Sequence, residues 1–282
     1  MESEKNIILK TEGLSVWFRQ KGRGFRQRIL PGVRDLNLEI RRGEIAAVVG
    51  SSGSGKSLLA HAVMGILPYN ACMSGTILFR GEPLTEQRLK KIRGRELVLV
   101  PQSVSYLDPL MKVGEQVTKG NRSSEAEKRM KQVFSRYGLE TGTEKKYPFE
   151  LSGGMTRRIL ISAAVMEKPD LVIADEPTPG LHMEAARQVM EHFREMAENG
   201  AGILLITHDL ELAMKTADRI CVLYGGQTVE EAPAGDFLHE ERLKHPYARA
   251  LCRSMPASWD TEGARLCSTG DILKKMREEF GR

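Results

Sequence analysis

Apolar and polar positions follow three different rhythms along this chain. Near its start, Ile7-Ile8-Leu9 and Leu14-Ser15-Val16-Trp17-Phe18 are rich in β-formers, and Leu36, Leu38 and Ile40 alternate with polar neighbours. That pattern predicts antiparallel strands over residues 6–40, with one face covered and the other wet. Further on come short runs that are apolar throughout: Ile45-Ala46-Ala47-Val48-Val49, Leu97-Val98-Leu99-Val100, Leu171-Val172-Ile173-Ala174, Ile203-Leu204-Leu205-Ile206 and Ile220-Cys221-Val222-Leu223. They have the length of buried strands, and Thr76-Ile77-Leu78-Phe79 adds another strand.

Helical spacing fills the gaps between those runs. Leu58, Leu59, Ala62, Val63 and Ile66 share one helix face, and Ala186, Val189, Met190, Phe193 and Met196 share another that stops at Asn199-Gly200. Met130, Val133, Phe134 and Tyr137 form a third stripe, behind a Ser124–Glu127 capping-box pattern. Strand and helix alternating in this way predict an α/β fold around a largely parallel sheet. Residues from about 103 to 166 carry no strand pattern and read as a helical insertion. The expected division is a main domain over 1–235 and a short polar, helical appendage over 236–282.

Composition narrows the class only a little. Of 282 residues, 41% are hydrophobic and 28% charged, which is ordinary for a globular protein. No apolar run is long enough to span a bilayer, and Met1-Glu2-Ser3-Glu4-Lys5 is unlike a signal peptide. The chain is therefore expected in the cytosol unless a partner holds it at a membrane. The net charge of +5, with basic stretches at Arg19 to Arg28 and Arg88 to Arg95, fits solvated faces plus a site for a polyanionic nucleotide. Nucleic acid is the other reading of that excess. Cys72, Cys221, Cys252 and Cys267 lack metal-ligand spacing and are expected to be reduced thiols.

The chemistry centres on Gly50-Ser51-Ser52-Gly53-Ser54-Gly55-Lys56-Ser57, set between a predicted buried strand and a predicted helix. In that context the glycines let backbone N–H groups converge on phosphate oxygens, and the helix start adds its unpaired donors. Lys56 can reach β- and γ-phosphates, and the Ser57 hydroxyl can ligate Mg²⁺. Asp175 ends an apolar strand, where open α/β sheets bind ligands, and can hold Mg²⁺. Glu176, one residue on, can orient or deprotonate a water. Leu151-Ser152-Gly153-Gly154-Met155 opens another helix and offers a second anion site without a lysine of its own. Two such sites in one chain point to a site completed by another subunit.

These stretches resemble those of the ATP-binding cassette (ABC) ATPases. Gly50 to Ser57, Gln102, Leu151 to Met155, Leu171 to Glu176 and His208 stand in the order of that family's Walker A, Q-loop, signature, Walker B and switch-histidine motifs. The resemblance covers roughly residues 6–235. It implies a P-loop ATPase with an N-terminal antiparallel β subdomain, using ATP and Mg²⁺. It also implies a head-to-tail dimer that sandwiches ATP between one subunit's Lys56 loop and the other's signature. Glu176 would be the general base, His208 would contact the γ-phosphate, and Gln102 would sense Mg²⁺ and couple to a membrane partner.

Finer features are similar to the peptide and nickel importers, closest to the nickel type in the short tail. They are the Met155 ending of the signature, Thr156-Arg157-Arg158, Gly65-Ile66-Leu67-Pro68, Tyr147-Pro148-Phe149-Glu150 and His245-Pro246-Tyr247-Ala248-Arg249-Ala250-Leu251. The resemblance implies an ATPase of nickel-chelate or peptide uptake at the cytoplasmic face of the membrane. Its partners would be two permease subunits, a second ATPase of paralogous sequence and, indirectly, an extracytoplasmic binding protein, with no nucleic acid. Many relatives carry four tail cysteines for an iron–sulfur cluster; Cys252 and Cys267 are too few, and no cluster is expected.

Two positions depart from the family. Pro177-Thr178-Pro179-Gly180-Leu181-His182 ends in histidine where aspartate is usual, and the adenine-stacking aromatic could be Phe18 or Phe25. The rival functions are a nucleic-acid-linked cassette protein, an exporter ATPase and a non-enzymatic module. The first lacks a second cassette or coiled coil here, the second does not fit the 245–251 motif, and the third does not fit an intact Lys56, Glu176 and His208.

Overall fold

A computed structural model describes residues 6–21 and 27–255. Strands β1 (Ile7–Lys21), β2 (Gln27–Arg41), β4 (Ala71–Phe79) and β5 (Glu82–Pro83) form an antiparallel sheet in the order β2-β1-β4-β5. The alternation at Leu36, Leu38 and Ile40 does what it predicts, because all three face the core. Both ends of the basic stretch from Arg19 to Arg28 lie in strands, Arg19 in β1 and Arg28 in β2.

The second sheet is built from the apolar runs. β3 (Ile45–Val49), β6 (Leu97–Val100), β7 (Leu171–Asp175), β8 (Gly202–Thr207), β9 (Arg219–Tyr224) and β10 (Gln227–Pro233) stand in the order β10-β9-β3-β8-β7-β6. All pairings are parallel except β9 with β10, which the Gly225-Gly226 turn joins as a hairpin. The central strands β3, β7 and β8 are buried along their whole length, as parallel strands covered on both faces must be. Two apolar clusters fill the two faces of this sheet. One lies toward the antiparallel sheet and α1 (Lys56–Met64), the other toward α6 (Met183–Glu198) and the chain's last described helix.

Local details differ from the sequence pattern where backbone geometry intervenes. Ile66 lies outside α1: Gly65 turns left-handed at φ 61° and its N–H bonds to Ala62, ending the helix. The cap of α4 (Ser124–Arg136) is Ser123, whose Oγ accepts from the Ala126 N–H, so the expected Ser124–Glu127 box is displaced by one residue. Met130, Phe134 and Tyr137 are buried as their spacing predicts. Between β6 and β7 the described chain holds only helices and 3₁₀ turns, including α3 (Val113–Val117) and α5 (Gly153–Val165), around a small apolar cluster of their own.

Short helices α2 (Glu86–Ile92) and α7 (Leu210–Thr216) are too brief for periodicity to announce. The stretch after β10 behaves differently from its polar appearance. Phe237, Leu243, Tyr247, Ala248 and Cys252 are buried in the same cluster as β7, β8 and α6. At least to residue 255, this segment is part of the main core, with α8 (Pro246–Arg253) as its last element.

Candidate functional site

The site lies at the carboxyl ends of β3, β7 and β8, where loops leave the parallel sheet. The phosphate loop is held against its surroundings by two close backbone approaches. A Cβ on Gly50 would come within 2.3 Å of the Leu223 carbonyl oxygen, so only glycine lets β3 turn here. Gly55 has φ 101° and its missing Cβ would meet Val33 Cγ2 at 2.7 Å, so both conformation and space demand glycine at the entry to α1.

Lys56 folds back over this loop. Its Nζ donates to the Gly50 carbonyl at 2.7 Å and to that of Ser51 at 3.0 Å. Burial lowers its pKa, and the nearby charges of Glu176 and Asp175 oppose that shift. Asp175, at the end of β7, is 3% exposed. Burial raises its carboxyl pKa, while a hydrogen bond from Ser57 pulls it back down. Asp175 Oδ1 and Ser54 Oγ are buried without partners. The orphaned Asp175 oxygen, beside the Ser57 hydroxyl, makes an oxygen donor set of the kind a hard divalent cation takes.

Glu176 follows with φ 48°, a left-handed backbone uncommon outside glycine. Its N–H donates to the Ile206 carbonyl, which fixes the turn against β8. The carboxylate accepts from the His208 backbone N–H at 3.0 Å and lies 2.8 Å from His208 Nδ1, with the Thr207 hydroxyl at 3.4 Å. Glu176 is buried, whereas the His208 side chain is 67% exposed. A buried carboxylate beside an open imidazole can present an oxygen to a water at the edge of the loop.

Lys56, Ser57, Asp175, Glu176 and His208 are thus brought together. Gln102 is exposed, and its backbone carbonyl accepts from Arg157 Nη2 at 2.6 Å. The same guanidinium donates to the Pro101 carbonyl at 2.7 Å. Arg157 is 6% exposed, lies in the field of Asp175 and Glu176, and ties α5 to the start of the Gln102 loop. Ser152 caps α5 through the Met155 N–H, and Gly153 and Ser152 are exposed. Among the described residues no hydrogen bond joins 151–155 to 50–57. A Cβ on Gly154 would lie 3.2 Å from the Gly180 carbonyl, so the signature start touches the loop that leads to His182. His182 is exposed and starts α6 without a side-chain cap bond.

Phe18, half-buried in β1, sits beside the phosphate loop's floor, with its ring 3.5 Å from where a Gly32 Cβ would be. Phe25 and Cys267 lie outside the described residues. Cys221 and Cys252 are buried thiols. Sequence reasoning missed Arg157 as a link and gave Tyr247 no role, yet Tyr247 Oη accepts the Ser51 N–H at 3.2 Å. Neither contact has a local signal, since each spans more than fifty positions of chain.

Comparison with known proteins agrees with this geometry. A model of the ABC transporter family matches residues 33–179, from before the phosphate loop to beyond Glu176. The oligopeptide transport ATP-binding protein OppD of Lactococcus lactis subsp. cremoris is 38% identical over 272 residues, covering 92% of this chain and 78% of that protein. The oligopeptide transport ATP-binding protein AppD of Bacillus subtilis is 35% identical, covering 89% and 79%. A dimeric ATP-binding cassette in a post-hydrolysis state, bound to ADP and Pi, superposes with a TM-score of 0.71 at 26% identity, over 80% of this chain and 99% of that one. With its phosphate loop, acidic strand end and histidine assembled in one place, the chain belongs to the ABC transporter family and is an ATP-binding ATPase.

Proposed function

We propose that this chain energises uptake of di- or oligopeptides as one ATPase subunit of an importer at the cytoplasmic face of the cell membrane. The observation that carries the reading is similarity along about nine-tenths of the chain to ATP-binding proteins of oligopeptide transport. It is joined to an intact Lys56, Asp175, Glu176 and His208 constellation. The peptide reading is preferred to nickel chelate because the names of those relatives speak for peptides.

In this reading Lys56 and those N–H groups of residues 50–57 that are left open, Ser51's being taken by Tyr247, bind the phosphates of ATP. Ser57 and Asp175, with Gln102, would hold Mg²⁺, which offsets phosphate charge when bound. The partnerless Asp175 Oδ1 supports that assignment. Glu176 takes the proton of the attacking water, and His208, from the exposed side, orients the water and the terminal phosphate. Among the described residues no hydrogen bond joins the signature at Leu151 to Met155 to its own lysine loop, which supports a head-to-tail pairing with a second, paralogous ATPase. The dimeric cassette with ADP and Pi supports pairing of this kind. Two permease subunits form the path through the membrane, and a separate binding protein delivers peptide from outside.

The test is uptake of a labelled tripeptide into vesicles holding the complete transporter, with ATP supplied on the side of this subunit. Uptake that needs ATP hydrolysis and stops with Lys56→Ala is the expected result. ATP-driven uptake of nickel chelate with none of peptide would overturn the substrate assignment.

A further inference from the structure

The phosphate loop has a support outside the nucleotide-binding motifs, from the 245–251 stretch. The peptide joining Gly50 to Ser51 is held at both ends. Its carbonyl accepts from Lys56 Nζ at 2.7 Å, and its N–H donates to Tyr247 Oη at 3.2 Å. Tyr247 lies 196 positions further along the chain, in the first turn of α8.

Three features fix that hydroxyl. The ring is 1% exposed and packs on Tyr224 with centroids 4.4 Å apart and planes at 37°. Tyr224 ends β9 directly after Leu223, the residue whose carbonyl presses on Gly50. The approach of the segment is pinned by Glu230 on β10, whose carboxylate accepts the Lys244 and His245 N–H groups at 2.8 and 2.6 Å. His245 then caps α8, its Nδ1 accepting the Tyr247 N–H at 3.1 Å. The tyrosine therefore has little freedom to search for another partner, and its hydroxyl stays at the half-buried Ser51 N–H.

We propose that Tyr247 is a positioning residue of the nucleotide site, fixing the Gly50–Ser51 peptide and with it the carbonyls on which Lys56 rests before phosphate binds. Nucleotide affinity then depends on the 237–255 segment, which touches no phosphate itself. A loop already in its bound shape loses less freedom on binding, so the link acts on affinity through preorganisation. This inference rests on residues 50–57 being the nucleotide site.

The test compares wild type with Tyr247→Phe, which keeps the packed ring and loses only the hydroxyl, and with an exposed control, Tyr69→Phe. MgADP affinity is measured by calorimetry on the full chain, and amide exchange is followed for a fragment containing Ser51. KM and kcat for ATP are measured in the assembled transporter. For Tyr247→Phe the expectation is weaker MgADP binding by about 3- to 10-fold, the range of one lost hydrogen bond. KM should rise by a similar factor, with kcat moving by less than about twofold because the hydroxyl touches neither Glu176 nor His208. Exchange at Ser51 should quicken, and the control should match wild type. Wild-type affinity and exchange in Tyr247→Phe would overturn the proposal, as would a lowered melting temperature with affinity unchanged. Failure of wild type to bind MgADP at all would instead overturn the assignment of the site itself.

Discussion

Glu176 Oε1 accepts the backbone N–H of His208 at 3.0 Å and lies 2.8 Å from that residue's Nδ1. The pair is set by backbone rather than by side-chain reach. Glu176 turns through a left-handed conformation at φ 48° and is bonded to β8, the strand that delivers His208. A residue other than glycine held there costs stability, and such strain is found where function needs the side chain aimed.

Glu176→Gln keeps the shape and can still accept the His208 N–H, but it cannot take a proton. Turnover of the assembled transporter should fall by about 10²- to 10⁴-fold, while nucleotide affinity stays within about twofold. ATP should then hold the ATPase pair together on a sizing column. Hydrolysis at the wild-type rate would place the base elsewhere.

Arg157 offers a second check on how the site is supported. Its guanidinium bridges the Pro101 and Gln102 carbonyls from a buried position, with Nε left unpaired. Hydrogen bonds from a charged donor contribute about 1.5–3 kcal/mol. Arg157→Gln cannot span both carbonyls, so the melting temperature should drop by roughly 4–8 °C for a loss of about 2 kcal/mol. ATP turnover should fall as well, because the Gln102 loop loses its anchor. A melting curve that overlays wild type would refute the bridging role.

Asp175 is expected to trade stability for binding. Burial raises its pKa and Oδ1 has no partner, so the charged form is disfavoured in the nucleotide-free fold. Asp175→Asn removes that penalty, since the raised pKa means stability is lost as pH rises through it. The variant should melt higher than wild type at neutral pH, as a thermal scan of the two proteins will read. It should also bind MgATP more weakly. A lower melting temperature would contradict this.

The contact between the helical stretch and the core is expected to weaken in acid. Tyr137, buried at the end of α4, shares a hydrogen bond between its hydroxyl and His192 Nδ1 on α6. Burial pushes the His192 pKa down to about 4, helped by the Arg136 and Arg129 charges and opposed by Glu195. A histidine depressed in the fold contributes stability above its unfolded value of about 6.5 and loses it as pH falls toward 4. Melting temperature should therefore decline over that window, and His192→Asn should flatten the decline. Parallel pH profiles for the two proteins would exclude His192 as its cause.

How much of this was legible in the sequence follows the range of each interaction. The phosphate loop, Asp175 and Glu176 depend on neighbours within a few residues, so spacing alone reveals them. The buried strands declare themselves because a parallel strand covered on both faces needs an apolar residue at every position. Arg157 reads as part of the Thr156-Arg157-Arg158 feature; that it reaches Pro101 and Gln102 depends on how α5 crosses β6. Tyr247 reads as part of the 245–251 motif with no role attached, and its place in the core depends on Tyr224 and Glu230. Ile66 misled for a local reason, because Gly65 ends the helix before the spacing does.

The central claim is that residues 50–57, with Lys56 as their cation, are where this ATPase holds its nucleotide. It is tested most directly by titrating MgADP into the full chain and into Lys56→Ala under calorimetry. Lys56 Nζ already rests on two carbonyls of that loop, so the variant removes the point charge that meets the β- and γ-phosphates. One nucleotide per wild-type chain and no measurable binding by the variant is the result the account predicts. Equal affinity in the two proteins would contradict it.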